Sequence, residues 1–524
     1  MFTAEDFRAL NSGSVQILDR VEISFFDLKM RIVDQIKKNR LHASLEAEDF
    51  NTIARKTITD FVTTRRPFVS GYVQENKLMT KTLIADLYNS IVNWGKLTIC
   101  REDDAIREVQ INGPAIWIDK SRGYELLRDP LTNDPIKFEN PEEATDFIKS
   151  LLVFSGERMT EDEPLINAST IEGFRLSCTH PCIFPPHPSE PTLKWPTATI
   201  RKVGGGMFQR QDFLDRETAC GPDLDFIALV YESLIGMMVV GTTGCGKTTV
   251  SDYGLRHVKD KSRVIAIQAP TEYHYRNMKE NIMQNNAVYW EVSSTADKES
   301  PKSATQDNLV THSLRNTADL LYLGELRSGS DFGSASRANN AGTKTSSTFH
   351  TFSVTGAIDR YALELTGYMG IDIEMGRELA CEYLDTVTVC DRLGDGTRKI
   401  MGIAEILGYD RSTKSYKINY LFEFVLVDSI ERDDGSGLID NVGYFVKRHS
   451  PDQQTIRQMI KQGVSKKRLE RITSIPDGTV LREVKFDCLP EDYVVNYDYD
   501  IKPLKNSARG ANILSKEDSV GIRI

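Results

Sequence analysis

The stretch MMVVGTTGCGKTTV, residues 237–250, decides the fold of this chain. Within it, residues 241–248 satisfy the pattern G-x-x-x-x-G-K-[ST] in full. The apolar MMVV before the pattern predicts a buried strand, and TTVSDYGLRHVK after the lysine predicts a helix. The glycines let the backbone wrap around phosphate oxygens without a clash at Cβ, and the helix N-terminus adds a fixed positive field. The segment therefore predicts a phosphate-binding loop between a strand and a helix.

The residue types in this loop indicate how a nucleotide such as ATP is held. Lys247 is expected to reach the β- and γ-phosphates, and the hydroxyl of Thr248 is expected to ligate Mg²⁺. A glycine-rich turn that arose by chance is the alternative, but strand, loop and helix occur here together. The predicted nucleotide-binding residues of the loop are Gly241, Thr242, Thr243, Gly244, Cys245, Gly246, Lys247, Thr248 and Thr249.

The segments around the loop predict an α/β fold. From about residue 224 onward, helical patterns alternate with short apolar runs such as VIAI and LLYL. This alternation is typical of a mainly parallel sheet that is covered by helices on both faces. KIMGIAEIL (399–407) and YKINYLFEFVL (416–426) are predicted as edge strands, and ERDDGSG (431–437) as a linker or loop.

The chain before the loop is expected to hold two more regions. Residues 1–85 carry helical patterns without a chemical motif, whereas the following residues combine strand-and-turn sequence such as EVQINGPAIWID with a capped helix. That combination predicts a compact α+β domain. The predicted divisions are 1–85 for a helical N-terminal extension, 86–205 for the α+β domain, 206–430 for the domain with the loop, and 431–524 for a C-terminal extension.

Composition and charge exclude several classes of protein. The chain has 524 residues, of which 40% are hydrophobic and 27% are charged, as in ordinary globular proteins. Its formal charge is −10, so no direct nucleic-acid binding is expected from its overall field. The longest apolar stretch, 226–241, contains Glu232 and is too short to span a bilayer, so no transmembrane segment is expected. Because MFTAEDFRAL lacks the pattern of a signal peptide, a cytoplasmic location is expected.

Two carboxylates follow other predicted strands. Glu325 ends the apolar run LLYLGE, the place where phosphate-loop proteins hold the metal or the attacking water. Gly324 stands before it where Asp is usual, so Glu325 is expected to reach the metal through water, together with Thr248. A salt-bridged strand end is the alternative. Glu272 follows the strand VIAI and is either a general base or a simple loop acid.

Taken in order, GTTGCGKTT, APTE, LGELR and a Ser/Thr strand ending in FHT resemble the motif set of the type II/type IV secretion ATPase superfamily. DDAIREVQINGPAIWID (103–119) resembles the N-terminal domain of its conjugation-type and tight-adherence-pilus-type branch. The resemblance covers roughly residues 100–430. It implies a RecA-like motor domain with a mainly parallel sheet, preceded by a small α+β domain of PAS-like type.

The resemblance also implies roles for single residues. Glu272 matches the catalytic base of the family, although Gln268 and Ala269 replace the first two acids of that motif. Glu325 matches the atypical Walker B glutamate, for which a preceding glycine is normal. His350 matches the later histidine of the family's histidine box and would sense the γ-phosphate from a strand beside the loop strand. The earlier histidine is replaced by Thr343, and a packing role for His350 is the alternative.

Four arginines match positions that face nucleotide in the family. Arg175 and Arg201 lie in the N-terminal domain, and Arg315 and Arg327 flank the strand that carries Glu325. Guanidinium groups neutralise the charge that builds up during phosphoryl transfer, often from a neighbouring subunit. For each arginine taken alone, a surface ion pair is the alternative.

As a whole, the resemblance implies a homohexameric ATPase that uses ATP and Mg²⁺ and is cytoplasmic, peripheral at the inner membrane. Its partners would be inner-membrane components of a secretion or pilus machine. The N-terminal domain and the motor would close on nucleotide about a hinge at the glycines 204–206. Two alternatives remain: a nucleic-acid-translocating motor, and a nucleotide-dependent scaffold with weak turnover, which the replaced acids at 268 and 269 favour.

Overall fold

The computed structural model describes residues 23–43, 50–69, 72, 77–92, 94–103, 105–120, 123–152, 155, 157–170, 174–185, 194–202, 208–268, 285–292, 304–432, 437–490, 493–495 and 497. The chain divides into two compact units, residues 1–205 and 206–524. Within the described ranges, no helix combines the length and the apolar character that crossing a bilayer requires. The glycines 204–206, predicted as a hinge, lie outside the described residues.

The first unit begins with helices that share a core of their own. They are α1 (Phe25–Ala43), α2 (Phe50–Arg65) and α3 (Lys77–Val92). The short α4 (Thr98–Glu102) that follows buries Cys100 in a different cluster, together with the strands of the first unit. Leu28, Ile58 and Leu87, one from each of the three long helices, are buried in one cluster. The third helix, α3, runs across the predicted boundary at residue 85.

A six-stranded sheet forms the rest of the first unit. Its strands are β1 (Glu108–Asn112), β2 (Ala115–Asp119), β3 (Tyr124–Leu126), β4 (Leu165–Ser169), β5 (Arg175–Thr179) and β6 (Thr197–Arg201). Their order is β3-β2-β1-β6-β5-β4, and every pairing is antiparallel. Helix α5 (Pro141–Leu152) buries Ile148 in the same cluster as Ile111 and Leu176 of the sheet. The predicted α+β character of this region is confirmed.

The second unit is built on one ten-stranded sheet. Its strands are β7 (Met237–Gly241), β8 (Val264–Gln268), β9 (Ala287–Glu291), β10 (Leu320–Leu323), β11 (Lys344–Phe349), β12 (Thr386–Arg392), β13 (Arg398–Asp410), β14 (Ser415–Glu431), β15 (Ile439–Lys447) and β16 (Thr479–Val484). Its helices are α6 (Arg210–Asp215), α7 (Gly221–Glu232), α8 (Lys247–Leu255), α9 (Gln306–Ser313), α10 (Gly329–Asn340), α11 (Val354–Met369), α12 (Ile373–Tyr383), α13 (Gln453–Lys461) and α14 (Lys466–Thr473).

The order of the strands in this sheet determines which candidate site residues lie beside the phosphate loop. It runs β16-β15-β14-β13-β12-β7-β11-β10-β8-β9, with parallel pairing from β12 to β9 and antiparallel pairing from β12 to β16. Strand β11 lies between β7, which leads into the phosphate loop, and β10, which leads to Glu325. Since these strands are parallel, their carboxyl ends meet at one edge. The predicted RecA-like α/β fold is confirmed.

Helices cover both faces of this sheet, as the continuous apolar strands require. Strands β7, β8 and β10 are buried along their whole length. One hydrophobic cluster contains Val239 and Tyr322 of the sheet with Tyr231 of α7, and the other contains Val240 and Leu323 with Phe332 of α10. These two hydrophobic cores hold the ends of the parallel strands in place.

The prediction that residues 399–407 and 416–426 form edge strands is wrong. Strand β13 pairs with β12 and β14, and β14 pairs with β13 and β15, so both are interior. The sequence reading missed β15 and β16, which extend the sheet beyond residue 431. These strands contain Asp440, Asn441, Lys447 and Arg482, and buried charges interrupt the apolar pattern by which a strand is recognised.

Candidate functional site

The phosphate loop uses glycine where its backbone requires glycine. Gly241, Gly244 and Gly246 have φ of +151°, +75° and +98°, which side chains with a Cβ rarely adopt. A Cβ on Gly241 would lie 2.0 Å from the carbonyl oxygen of Cys390 on the neighbouring strand β12. Helix α8 begins at Lys247, immediately after the left-handed Gly246. The loop therefore presents its backbone N–H groups and a helix N-terminus at the carboxyl edge of the sheet.

Lys247 is the first helical residue, and its ammonium group is folded over the loop. Only 8% of its surface is exposed. The Nζ atom donates to the carbonyl oxygens of Gly241 at 3.1 Å and Thr242 at 2.7 Å. The same atom lies 3.3 Å from Nδ1 of His350, which follows the end of the neighbouring strand β11. Three strong contacts thus fix a positive charge inside the loop.

A chain of side-chain contacts continues from Lys247 across the strand ends. The Nε2 atom of His350 lies 3.1 Å from Oε1 of Glu325, which follows strand β10. The other carboxylate oxygen of Glu325 accepts from Nε of Arg327 at 2.7 Å and from its Nη2 at 2.6 Å. Lys247, His350, Glu325 and Arg327 therefore form one connected chain, which we call the lysine–glutamate relay.

The protonation states along the relay follow from its surroundings. Burial lowers the pKa of His350 below 6.5, and so do Lys247 and Arg360, against the opposing effect of Glu325. Burial would raise the pKa of Glu325, but Arg327, His350 and Lys247 together hold it below 4.5. At neutral pH the imidazole is therefore neutral and the carboxylate ionised. Nδ1 then accepts from Lys247 and Nε2–H donates to Glu325, which fixes one tautomer.

Backbone tethers hold the two strand ends beside the loop. The hydroxyl of Thr348 donates to the carbonyl oxygen of Gly324 at 2.8 Å, one residue before Glu325. The guanidinium group of Arg360, on helix α11, donates to the backbone oxygen of His350. Sequence reasoning missed Arg360, which lies ten residues after the histidine within a helical pattern. These contacts position the relay without taking part in it.

The loop is also held from the other side, by strands β12 and β13. Asp391 accepts from the hydroxyl of Thr242 at 2.8 Å. Arg398 donates from Nε to the carbonyl oxygen of Gly244 at 2.7 Å. Sequence reasoning missed both residues, although DRLGDGTRK (391–399) carries a visible turn signal between strands. The phosphate loop is thus fixed at two of its own residues by a hairpin.

Residues 191–375 match the family described as Type II/IV secretion system protein. The resemblance to the secretion ATPase superfamily is confirmed. The match contains the phosphate loop, Glu325 and His350. The finer assignment, to the conjugation-type and tight-adherence-pilus-type branch, stays a prediction.

Single relatives are distant. The uncharacterized protein MJ0900 of Methanocaldococcus jannaschii is 21% identical over 275 residues, which is 52% of this chain and 46% of that protein. The matched region thus spans less than half of that relative. The VirB11 ATPase from the Brucella suis type IV secretion system is 19% identical, covers 61% of this chain and 97% of its own, and has a TM-score of 0.28. The ATPase DotB of Legionella pneumophila is 14% identical, covers 70% of this chain and 83% of its own, and has a TM-score of 0.40.

The other loop residues have different environments. Thr243 is exposed, while Thr248 and Thr249, in the first turn of α8, are half-buried. Cys245 is 2% exposed, and burial raises the pKa of its thiol. Its sulfur packs against Gly241, since a Cβ on that glycine would lie 2.7 Å from it.

Two departures from the secretion ATPase motifs are explained by position. Thr343 precedes strand β11, at the end opposite to His350, so its side chain lies far from the loop edge of the sheet. Gln268 ends strand β8 and is buried, and a Cβ on Gly324 would lie 3.0 Å from its Cγ. Glycine before Glu325 therefore makes room for this side chain. Glu272 and Ala269 lie outside the described residues.

The predicted arginines fall into separate places. Arg327 belongs to the relay, with 58% of its side chain exposed. Arg315 is exposed shortly after helix α9, and the structure does not bring it into the relay. In the first unit, Arg175 and Arg201 are direct partners across the antiparallel pair β5–β6. Glu108 of β1 is the partner of Arg201 on its other side, so a carboxylate faces this pair of like charges within the sheet.

Proposed function

We propose that this chain is an ATPase that hydrolyses ATP and drives a secretion, conjugation or pilus machine. The observation that carries the proposal is the relay from Lys247 to Arg327 at the strand ends beside the phosphate loop. Lys247 binds the β- and γ-phosphates, and neutral His350 links this lysine to the ionised Glu325. Arrival of a γ-phosphate at Lys247 changes the hydrogen bonding of His350, and so Glu325 responds to the state of the nucleotide.

Mg²⁺ is the metal that the donors of this site suit. Hydroxyl and carboxylate oxygens are its usual protein ligands, and the low pKa of Glu325 keeps its carboxylate charged at neutral pH. We infer that Thr248 ligates the ion directly and Glu325 through water. Bound there, Mg²⁺ would neutralise charge on the β- and γ-phosphates.

The attacking water needs a base, and we propose Glu272 for this role on the strength of the motif. The test measures steady-state ATP turnover for the wild type, Lys247→Ala and Glu272→Gln. Turnover that requires Mg²⁺ and is lost in both variants supports the proposal. If turnover survives in Lys247→Ala, the activity comes from another protein in the preparation, and the proposal that this chain is an ATPase fails. Glu291→Gln, a carboxylate change at the edge strand β9, is the matched control and should leave turnover unchanged.

Arg175 and Arg201 are proposed to contact nucleotide phosphate in the assembled ATPase. The family resemblance supports this proposal, and the register places the two arginines side by side at one end of a sheet, with Glu108 of β1 opposite Arg201. Arg201→Ala should lower turnover about tenfold to a hundredfold. Arg128→Ala, at an exposed position of the same unit where Nη1 donates to Asn133 O, is the control.

We further propose that the active form is a homohexamer, located in the cytoplasm and peripheral to the inner membrane through membrane components of its machine. Light scattering in the presence of Mg²⁺ and a slowly hydrolysed ATP analogue should give six times the chain mass of 59.1 kDa. A monomer under these conditions, with full turnover, would contradict the ring.

A second candidate is a nucleotide-dependent scaffold with weak turnover. Gln268, uncharged and buried at the end of β8, occupies a position where the family has an acid. Tight nucleotide binding that Lys247→Ala abolishes, combined with wild-type turnover no faster than that of Glu272→Gln, would favour this second function over the first.

A further inference from the structure

The hairpin that clamps the phosphate loop is itself held by the last part of the chain. Strands β12 and β13 contribute Asp391 and Arg398, which contact Thr242 at 2.8 Å and Gly244 at 2.7 Å. The turn between these strands, residues 393–397, contains Asp395. What fixes this turn therefore fixes the clamp on the loop.

Asp395 organises its own turn with one carboxylate oxygen. Its Oδ1 accepts from the backbone N–H of Thr397 at 2.9 Å and from its hydroxyl at 2.6 Å. The backbone N–H of Leu393 donates to the carbonyl oxygen of Thr397 at 2.8 Å, which closes the turn. Arg398 follows this closed turn directly, so its direction toward Gly244 depends on the turn.

The other oxygen of Asp395 is bound by the C-terminal region. Lys485, which follows β16, donates from Nζ to Oδ2 of Asp395 at 2.6 Å. The backbone N–H of Asn441, in β15, also donates to this oxygen at 3.2 Å. Only 2% of the Asp395 side chain is exposed. A carboxylate buried to this degree depends on its cation, because water cannot replace it.

Lys485 also serves a second carboxylate. Its Nζ donates to Oδ1 of Asp440 at 2.7 Å. Arg432 binds the same carboxylate, with Nε donating to Oδ2 at 2.6 Å and Nη2 to Oδ1 at 2.7 Å. Without Lys485, Arg432 still compensates Asp440, but Asp395 loses the ammonium that binds it. The backbone of Lys485 has φ of +57°, a conformation that its contacts must hold against its intrinsic preference.

We propose that Lys485 is a positioning residue for nucleotide binding, acting through Asp395 and Arg398 on the phosphate loop. The C-terminal strands are then part of the nucleotide site rather than an appendage to it. This inference rests on the proposed function, because it presumes that the loop binds nucleotide. It does not depend on hydrolysis.

The test compares two lysines of the antiparallel half: Lys485, which follows β16 and is partly buried, and Lys447, which is fully buried. Lys447 ends strand β15 and contacts Asp477 at 3.0 Å and Ser450 at 2.9 Å, whereas the residues of β15 near the turn are at its other end. The measured quantity is the Kd of a fluorescent N-methylanthraniloyl-ADP with Mg²⁺. Lys485→Met should raise this Kd about tenfold, the order of effect seen when a residue supporting a binding group is removed. Lys447→Met should leave it within about twofold.

Further variants separate positioning from general damage. Asp395→Asn should raise the Kd as Lys485→Met does, and the double variant should bind no more weakly than either single one, since both act through one contact. Lys485→Arg keeps the charge and should bind more tightly than Lys485→Met. Turnover at saturating ATP should stay within about threefold of wild type, because the relay is untouched.

Several results would overturn the inference. Equal Kd values for the wild type and Lys485→Met, or equal losses in Lys485→Met and Lys447→Met, overturn the inference. Additive losses in the double variant also overturn it. If Lys485→Met does not fold, as judged by its circular dichroism, Asp395→Asn against wild type carries the same test. Failure of the wild type to bind the probe would instead reject the proposed function.

Discussion

The two halves of the ten-stranded sheet each bury a lysine side chain, and the two lysines have different partners. Lys247, at the parallel half, is 8% exposed and contacts two carbonyl oxygens and the neutral ring of His350. Lys447, at the antiparallel half, is fully buried and contacts the carboxylate of Asp477. A buried ammonium group needs compensation in both places.

The difference lies in what compensates each charge. At Lys447 a carboxylate does so directly, and the pair is complete without any ligand. At Lys247 carbonyl dipoles hold the ammonium, and the carboxylate of Glu325 is linked to it through His350. Such an arrangement retains positive potential inside the loop, which an arriving phosphate can use. Lys447 is therefore expected to matter for stability, and Lys247 for nucleotide binding.

The largest effect is expected for Lys247→Ala, which tests whether Lys247 serves nucleotide binding rather than stability. Turnover should fall by about 10³-fold or more, since the charge that meets the β- and γ-phosphates is removed. The melting temperature without nucleotide should change little, because no carboxylate is left without its only cation. Calorimetry alongside an ATPase assay gives both values. A large loss of stability would show that Lys247 is structural like Lys447.

The next largest effect is expected for Glu325→Gln. Turnover should fall by about a hundredfold, because the amide cannot organise metal-bound water as a carboxylate does. Glu423→Gln is the matched control, since Glu423 accepts from Nε of Arg448 at 2.6 Å in the antiparallel half. If both variants lost turnover equally, the assignment of Glu325 to the metal site would fall.

Lys447→Met tests the structural role expected for the lysine of the antiparallel half. The free energy of unfolding should drop by about 1–2 kcal/mol, less than for a fully buried pair because Asp477 is half-exposed and can be solvated. Turnover per folded molecule should equal that of the wild type. Urea denaturation measures the first quantity. A fall in turnover without a fall in stability would contradict the structural role.

The parallel half was accessible from sequence because its signals are local and redundant. Glycine spacing, an apolar strand and a helix all occur within residues 237–255, although the helix ends at Leu255 rather than at residue 259. The structure brings His350 and Glu325 together for a related reason: parallel strands end at one edge, so the residues after them lie close to each other.

The antiparallel half was only partly accessible: β13 and β14 were predicted as strands, but their interior position and the strands β15 and β16 depend on pairs distant in sequence. Lys485 and Asp395 are 90 residues apart, and the turn signal around Asp395 does not reveal which residue it will contact. Asp440 and Lys447 interrupt β15 and make it resemble a loop, although their charges are compensated in the fold. Arg398 and Asp391 were missed on the same ground, since a hairpin turn does not reveal which loop it will contact.

The smallest predicted effect concerns the link between Lys247 and Glu325. The pKa of His350 is held below 6.5, so its contribution is complete above that pH and is lost as the pH falls through its folded value. Protonation removes the acceptor that Nδ1 offers to Lys247 and adds a second positive charge beside it. Wild-type turnover should therefore fall between pH 7.5 and 5.5 by about threefold more than turnover of His350→Gln.

Glutamine is the informative replacement because its amide offers one acceptor and one donor, as the neutral imidazole does, and does not titrate. His350→Gln should keep most of the turnover at pH 7.5 and lose the acid limb. The carboxylate of Glu325 does not produce that limb, since its own pKa lies below 4.5. An acid limb that persists unchanged in His350→Gln would mean that another group titrates, and the relay would then be a packing arrangement rather than a path from phosphate to carboxylate.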